Sequence, residues 1–167
     1  MNITLIGMPG VGKSFIGRSL AERLNCRFID IDEIIEGKAG KKLQKIIDED
    51  SEKRLLELEE KTILDLGRIG DTVISPGGSV VYSKKAMEYL KNNTFIILLN
   101  DSLENIKKRI NNLENRGMIG LKGRSFEELF EERWGLYIKY ADLTINIDGL
   151  DINAIIDEIV QQIKLIL

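Results

Sequence analysis

Gly7-Met8-Pro9-Gly10-Val11-Gly12-Lys13-Ser14 fits the pattern G-x-x-x-x-G-K-[ST]. That spacing lets backbone N–H groups wrap a phosphate, with glycines where the chain must approach closely. The motif follows the apolar run 3–6 and opens a helical pattern carried by Ile16, Leu20 and Leu24. In this strand-turn-helix setting Gly10, Val11, Gly12, Lys13, Ser14 and Phe15 are the expected nucleotide-binding residues. Lys13 reaches the β- and γ-phosphates, and the Ser14 hydroxyl is placed for Mg²⁺. The loop reads as a P-loop.

Three further features could complete a phosphoryl-transfer site. Asp30-Ile31-Asp32 ends the second strand expected in the chain, over residues 27–31. Strand alternation predicts both carboxylates on one side with Ile31 on the other. One acid, Asp30, would hold Mg²⁺ through its water shell; the other, Asp32, would orient the attacking hydroxyl or take its proton. Gly77-Gly78 follows Ser75-Pro76 at the end of a third strand, where a bare backbone can approach a ligand. Arg133 shares a helical face with Leu129, Phe130 and Tyr137. An inward-pointing cation needs an anion, either an internal carboxylate or a ligand.

The elements that must position these residues follow a regular rhythm. Strands are expected at 3–6, 27–31, 72–75, 94–99 and 143–147, and the run Phe95-Ile96-Ile97-Leu98-Leu99 suits a parallel strand covered on both faces. Helical spacing recurs in Leu55, Leu58, Thr62 and Leu66, and again in Ile152, Ile155, Ile156, Ile159 and Ile163. Alternating strand and helix predicts a doubly wound α/β sheet. At 167 residues, against roughly 150 per domain, the chain reads as one domain, 1–167, and only Pro9 and Pro76 interrupt it.

Composition removes several function classes. Lys+Arg 24 against Asp+Glu 27 gives a net charge of −3, which argues against a nucleic-acid footprint. With His 0, Ser-His-Asp triads and His-ligated zinc sites are excluded. The lone Cys26 forms no internal disulfide and suits a reducing compartment. No cationic segment precedes the first apolar run, and no stretch approaches the roughly 20 apolar residues of a membrane span. A cytoplasmic protein without membrane or nucleic-acid partners is expected.

Together these residues resemble the shikimate kinase family of P-loop small-molecule kinases, along essentially the whole chain. The segment 7–14 is similar to its Walker A motif, and Asp30-x-Asp32 to its Mg²⁺-associated and substrate-orienting aspartates. Gly77, Gly78 and Ser79 fall on its substrate-contacting Gly-Gly-Gly, and Arg133…Leu136-Tyr137 resembles its R-x-x-L-Y segment. The segment 115–125, with three glycines and three cations, reads either as a surface loop or as a lid. The resemblance implies a mobile lid at about 112–125 with Arg116 as its phosphate-facing arginine, and a substrate subdomain at about 33–61. It also implies a three-layer P-loop kinase fold: a five-stranded parallel sheet in the order 2-3-1-4-5, with helices on both faces. ATP, Mg²⁺, a small-molecule hydroxyl acceptor, Lys108 or Arg109 near the adenine, and a monomeric state follow from it as well.

Departures gather where the acceptor should bind. Counted without gaps, the family's F-R-x-x-E falls on Leu55-Leu56-Glu57-Leu58-Glu59, so its substrate arginine is Leu56 here. A rival register through Arg54 needs a two-residue slip, which turns a helical side chain through about 200°. Ser79 replaces the third glycine, and the lid's Arg-Pro is Arg116-Gly117. The expected activity is ATP- and Mg²⁺-dependent phosphorylation of shikimate, or of another small hydroxy acid or polyol. A nucleoside monophosphate kinase would share Gly7-Met8-Pro9-Gly10, but its D-G-[FY]-P-R segment is absent. A non-catalytic nucleotide-binding relative is the remaining alternative.

Overall fold

The computed structural model describes residues 1–110 and 117–166. Five parallel strands, β1 (Asn2–Ile6), β2 (Arg27–Asp30), β3 (Thr72–Ser75), β4 (Phe95–Asn100) and β5 (Leu143–Asn146), form one sheet in the order β2-β3-β1-β4-β5. Ile3 aligns with both Val73 and Phe95, fixing the centre of the sheet. Strand alternation divides the apolar residues between two cores. Ile3, Leu5, Val73, Ile97 and Leu99 face α1 (Lys13–Leu24) and α8 (Ile152–Ile166). Ile6, Ile74, Ile96 and Leu98 pack on the other side, with residues of α4 (Glu52–Leu64), α5 (Lys84–Asn93) and α7 (Phe126–Tyr140). Each fully buried Ile or Leu contributes about 1.5–3 kcal/mol of transfer free energy.

Between β2 and β3 the chain inserts α2 (Ile31–Ala39), α3 (Leu43–Glu49) and α4. The Ser51 hydroxyl accepts from the Arg54 N–H to start α4, and α6 (Leu103–Arg109) follows β4. Ser125 and Glu128 close a capping box that starts α7. The carboxyl ends of the strands therefore meet the P-loop, α2 and the segment after β3 at one rim of the sheet, where open α/β folds place ligands.

The second strand is shorter than expected. Ile31 opens α2 instead of ending β2, because Asp30 caps the helix: its Oδ1 accepts from the N–H groups of Asp32 (3.0 Å) and Glu33 (3.3 Å). Asp30 and Asp32 thus do not alternate along one strand. One ends the strand and the other lies in the first turn of α2. Both still reach the same cavity.

Candidate active site

A cleft of about 790 Å³ opens at that rim, with the P-loop on one wall and α2, α4 and α7 around it. Gly12 is the N-cap of α1 in the left-handed region, at φ 102°, and no side chain caps the helix. The first turn of α1 carries no acidic residue, so its N–H groups and dipole are left for an anion. The buried Lys13 Nζ donates to the carbonyls of Gly7 (2.9 Å) and Met8 (3.2 Å), and Ser14 is exposed beside it. An uncapped helix start, a lysine and a free hydroxyl fit a nucleotide's phosphate chain. One Asp30 oxygen is occupied by capping; the other, with the Ser14 hydroxyl, suits a hydrated Mg²⁺.

Asp32 is strongly perturbed by its surroundings. Burial, reinforced by Glu59 and Asp30, raises its carboxyl to about 7 against the pull of Lys13. Burial lowers Lys13 to about 8, opposed mainly by Asp32. A base held near neutrality facing a phosphate-binding lysine suits transfer to a hydroxyl.

After β3 the two glycines separate acids from a cation. A Cβ at Gly77 would lie 2.6 Å from Glu59 Oε1 and 3.0 Å from Asp32 Oδ1. A Cβ at Gly78 would lie 2.7 Å from Pro9 Cδ and 3.0 Å from Arg133 Nη1. Only a residue without a side chain leaves these groups their places. Arg133 is 0% exposed: its Nη2 donates to the Ile119 carbonyl (2.6 Å), its Nε to the Tyr82 hydroxyl (3.3 Å), and its guanidinium lies over the Tyr82 ring (5.2 Å). Nη1 has no protein partner. The Tyr137 hydroxyl, one turn on, donates to the Gly78 carbonyl (2.6 Å), and Phe130 stacks on Trp134 at 6.0 Å.

The cleft brings together Gly10, Gly12, Lys13, Ser14, Phe15, Asp30, Asp32, Gly77, Gly78, Ser79, Arg109 and Arg133. Phe15 stands 65% exposed at its mouth, and Arg109 reaches it while paired with the buried Asp101 (2.5 Å). Val11 is buried beneath the loop in the core, so only its backbone can face a ligand. Lys108 does not line the cleft; it pairs with Glu104 one turn back (2.6 Å). Leu56 packs half-buried against the core, and its neighbour Leu55 lines the cleft instead. Arg54 is exposed, lies 3.5 Å from Glu57 and borders a separate cavity, which is consistent with the ungapped register. Arg116 falls in 111–116, outside the described residues. Gly117 has φ 63°, which proline cannot adopt, and its surroundings are tight: a Cβ there would meet Leu43 Cβ at 2.5 Å.

One residue deserves a place in the site that spacing alone did not assign. Glu59 is 2% exposed, with Oε2 accepting from Ser79 Oγ (2.8 Å) and Oε1 unpartnered. Its signal was an acid on the inward face of α4 among Leu55, Thr62 and Ile63.

A phosphate-binding loop, a base near neutrality and a buried arginine around one cleft define a P-loop small-molecule kinase, a phosphotransferase acting on a hydroxyl. The shikimate kinase family model matches residues 9–164. The chain is 36% identical over 163 residues to the shikimate kinase of Sulfurihydrogenibium sp. (strain YO3AOP1), covering 98% of each. It is 34% identical to that of Persephonella marina, covering 98% of this chain and 99% of the other. The structure of the Acinetobacter baumannii shikimate kinase in complex with shikimate superposes with a TM-score of 0.90 at 27% identity, covering 97% of this chain and 92% of that one. This chain belongs to the shikimate kinase family, whose members use ATP with Mg²⁺.

Proposed function

We propose that this chain, as a cytoplasmic monomer, transfers the γ-phosphoryl group of ATP to the 3-hydroxyl of shikimate. The unpartnered Nη1 of the wholly buried Arg133, lining the cleft that holds Asp32, carries the reading. A buried guanidinium nitrogen without a protein acceptor is matched by an acceptor bearing an anionic group. Lys13 and the α1 N-terminus hold the phosphate chain and stabilise charge on the transferring group. Mg²⁺, held by Ser14 and Asp30, would neutralise the β- and γ-phosphate oxygens. Asp32 orients the hydroxyl and takes its proton as the new P–O bond forms and ADP leaves. The helices over 33–61 serve as the acceptor side, and Arg116 would add a second cation towards the phosphates.

With leucine at 56, and Arg109 already paired with Asp101, Arg133 is the cleft-lining guanidinium left for the acceptor's carboxylate among the described residues. ADP release with ATP and Mg²⁺ is expected to depend on added shikimate. Leu56 itself packs against the core between the cleft-lining Leu55 and Glu59, but an arginine stem is long enough to carry its head past that contact to the cleft. Leu56→Arg is therefore expected to lower the shikimate KM about 10- to 100-fold, the worth of one charge-assisted hydrogen bond. Intact ATP binding without a shikimate response would reassign the acceptor to another small hydroxy acid or polyol.

A further inference from the structure

Of two positions that depart from the family pattern, Ser79 touches a buried acid, Glu59, and Leu56 precedes that acid by three residues on α4. Glu59 lies one helical turn after Leu56, the spacing at which an arginine and a carboxylate pair on a helix surface. With leucine at 56, no ion pair reaches Glu59 among the described residues, although it is 2% exposed. Its hydrogen-bond partner is the Ser79 hydroxyl, 20 residues away in the chain and 2.8 Å away in space. A glycine at 79 would offer no donor there. The bond takes Oε2 and leaves Oε1 unpartnered, beside Gly77 and on the same side as Asp32 Oδ1.

Building on the proposed function, we propose that Ser79 is a positioning residue that fixes Glu59 so that its free Oε1 accepts a second hydroxyl of the acceptor next to the one held by Asp32. A carboxylate engaged by an arginine would spend its acceptor capacity on that cation. Here the Ser79 hydroxyl takes Oε2, and the Gly77 backbone lies against the carboxylate and favours its charged form. Oε1 keeps acceptor capacity for a ligand in the small volume that both acids address. Burial pushes the Glu59 carboxyl up, while Ser79 and the charge of Arg133 oppose the shift and favour the ionised acceptor. The acceptor is thus gripped at its hydroxyl side by two acids and at its anionic side by Arg133. Loss of the arginine at 56 moves specificity from the carboxylate towards the vicinal hydroxyls.

The test compares shikimate with its 4-deoxy and 5-deoxy analogues in steady-state assays of the full chain. Wild type, Ser79→Ala, Glu59→Gln and the swap Ser79→Gly/Leu56→Arg are measured side by side. The wild type is expected to lose about tenfold or more in kcat/KM on the 4-deoxy analogue, whose missing hydroxyl is the neighbour of the 3-hydroxyl. Ser79→Ala is expected to show little further penalty for that hydroxyl. A loss confined to the 5-deoxy analogue overturns the inference. Ser79→Ala should raise the shikimate KM about tenfold with the ATP KM unchanged, which a general loss of stability would not produce. Glu59→Gln should behave alike. The swap should recover shikimate KM while remaining indifferent to the missing hydroxyl. Equal discrimination by wild type and Ser79→Ala overturns the inference and leaves the shikimate reading standing. A wild type that does not turn over shikimate overturns both.

Discussion

Asp32→Asn is expected to lower kcat by about 10²- to 10⁴-fold, the range for removing a positioned general base. Asparagine keeps the shape and can still orient a hydroxyl, but it cannot take the proton. ATP binding should stay within a few-fold, since the helix start and Lys13 are untouched. The pH profile supplies the second readout. Burial holds Asp32 at about 7, so the base is ionised above that pH and protonated below it. The kcat/KM profile, which reports the free enzyme, should therefore fall about tenfold per unit on the acid side of 7, and Asp32→Asn should lack that limb. A variant that keeps more than a tenth of the activity, or the same limb, would remove Asp32 from the proton transfer.

Lys13→Met should be at least as damaging on the nucleotide side, with kcat/KM for ATP falling about 10²- to 10³-fold or more. Methionine preserves the apolar stem and deletes the charge that meets the β- and γ-phosphates. Lys13 is also the cation that opposes the rise in the Asp32 carboxyl. Without it that carboxyl should rise further, and the residual activity should have its acid limb at higher pH. The lysine adds an alkaline limb near 8 in the wild type, where it loses its proton, and that limb should vanish in the variant. Arginine is no safe replacement, because the two carbonyls of Gly7 and Met8 hold a compact ammonium. Steady-state ATP kinetics between pH 6 and 9 would check each point; activity within tenfold of wild type would sink the assignment.

What could be read before the fold was known depended on how local the relevant contacts are. The P-loop was legible because its residues are contiguous and its strand and helix adjoin it. Arg133 was legible as an inward cation because Leu129 and Tyr137 lie one turn away on each side, and both are buried with it. The strand order was legible through the resemblance, since single-strand patterns do not specify neighbours. Asp30 and Asp32 were placed on one strand face because alternation was applied across a boundary. The aspartate's preference for capping a helix ended the strand one residue earlier. Leu56 was assigned to the substrate wall by alignment, but its side chain packs on the core while Leu55 faces the cleft. The Glu59–Ser79 bond joins α4 to the segment after β3, and no pattern within either segment predicts it.

The stacked pair of Phe130 and Trp134 gives the molecule an internal dye. Trp134 is the chain's only tryptophan and follows Arg133, which lines the cleft and is the acceptor's proposed anchor. Excitation at 295 nm therefore isolates one indole, without deconvolution and without a label. Any ligand that draws on Arg133 changes the field on that ring, so acceptor occupancy should be visible as a change in emission in stopped flow before any product is made.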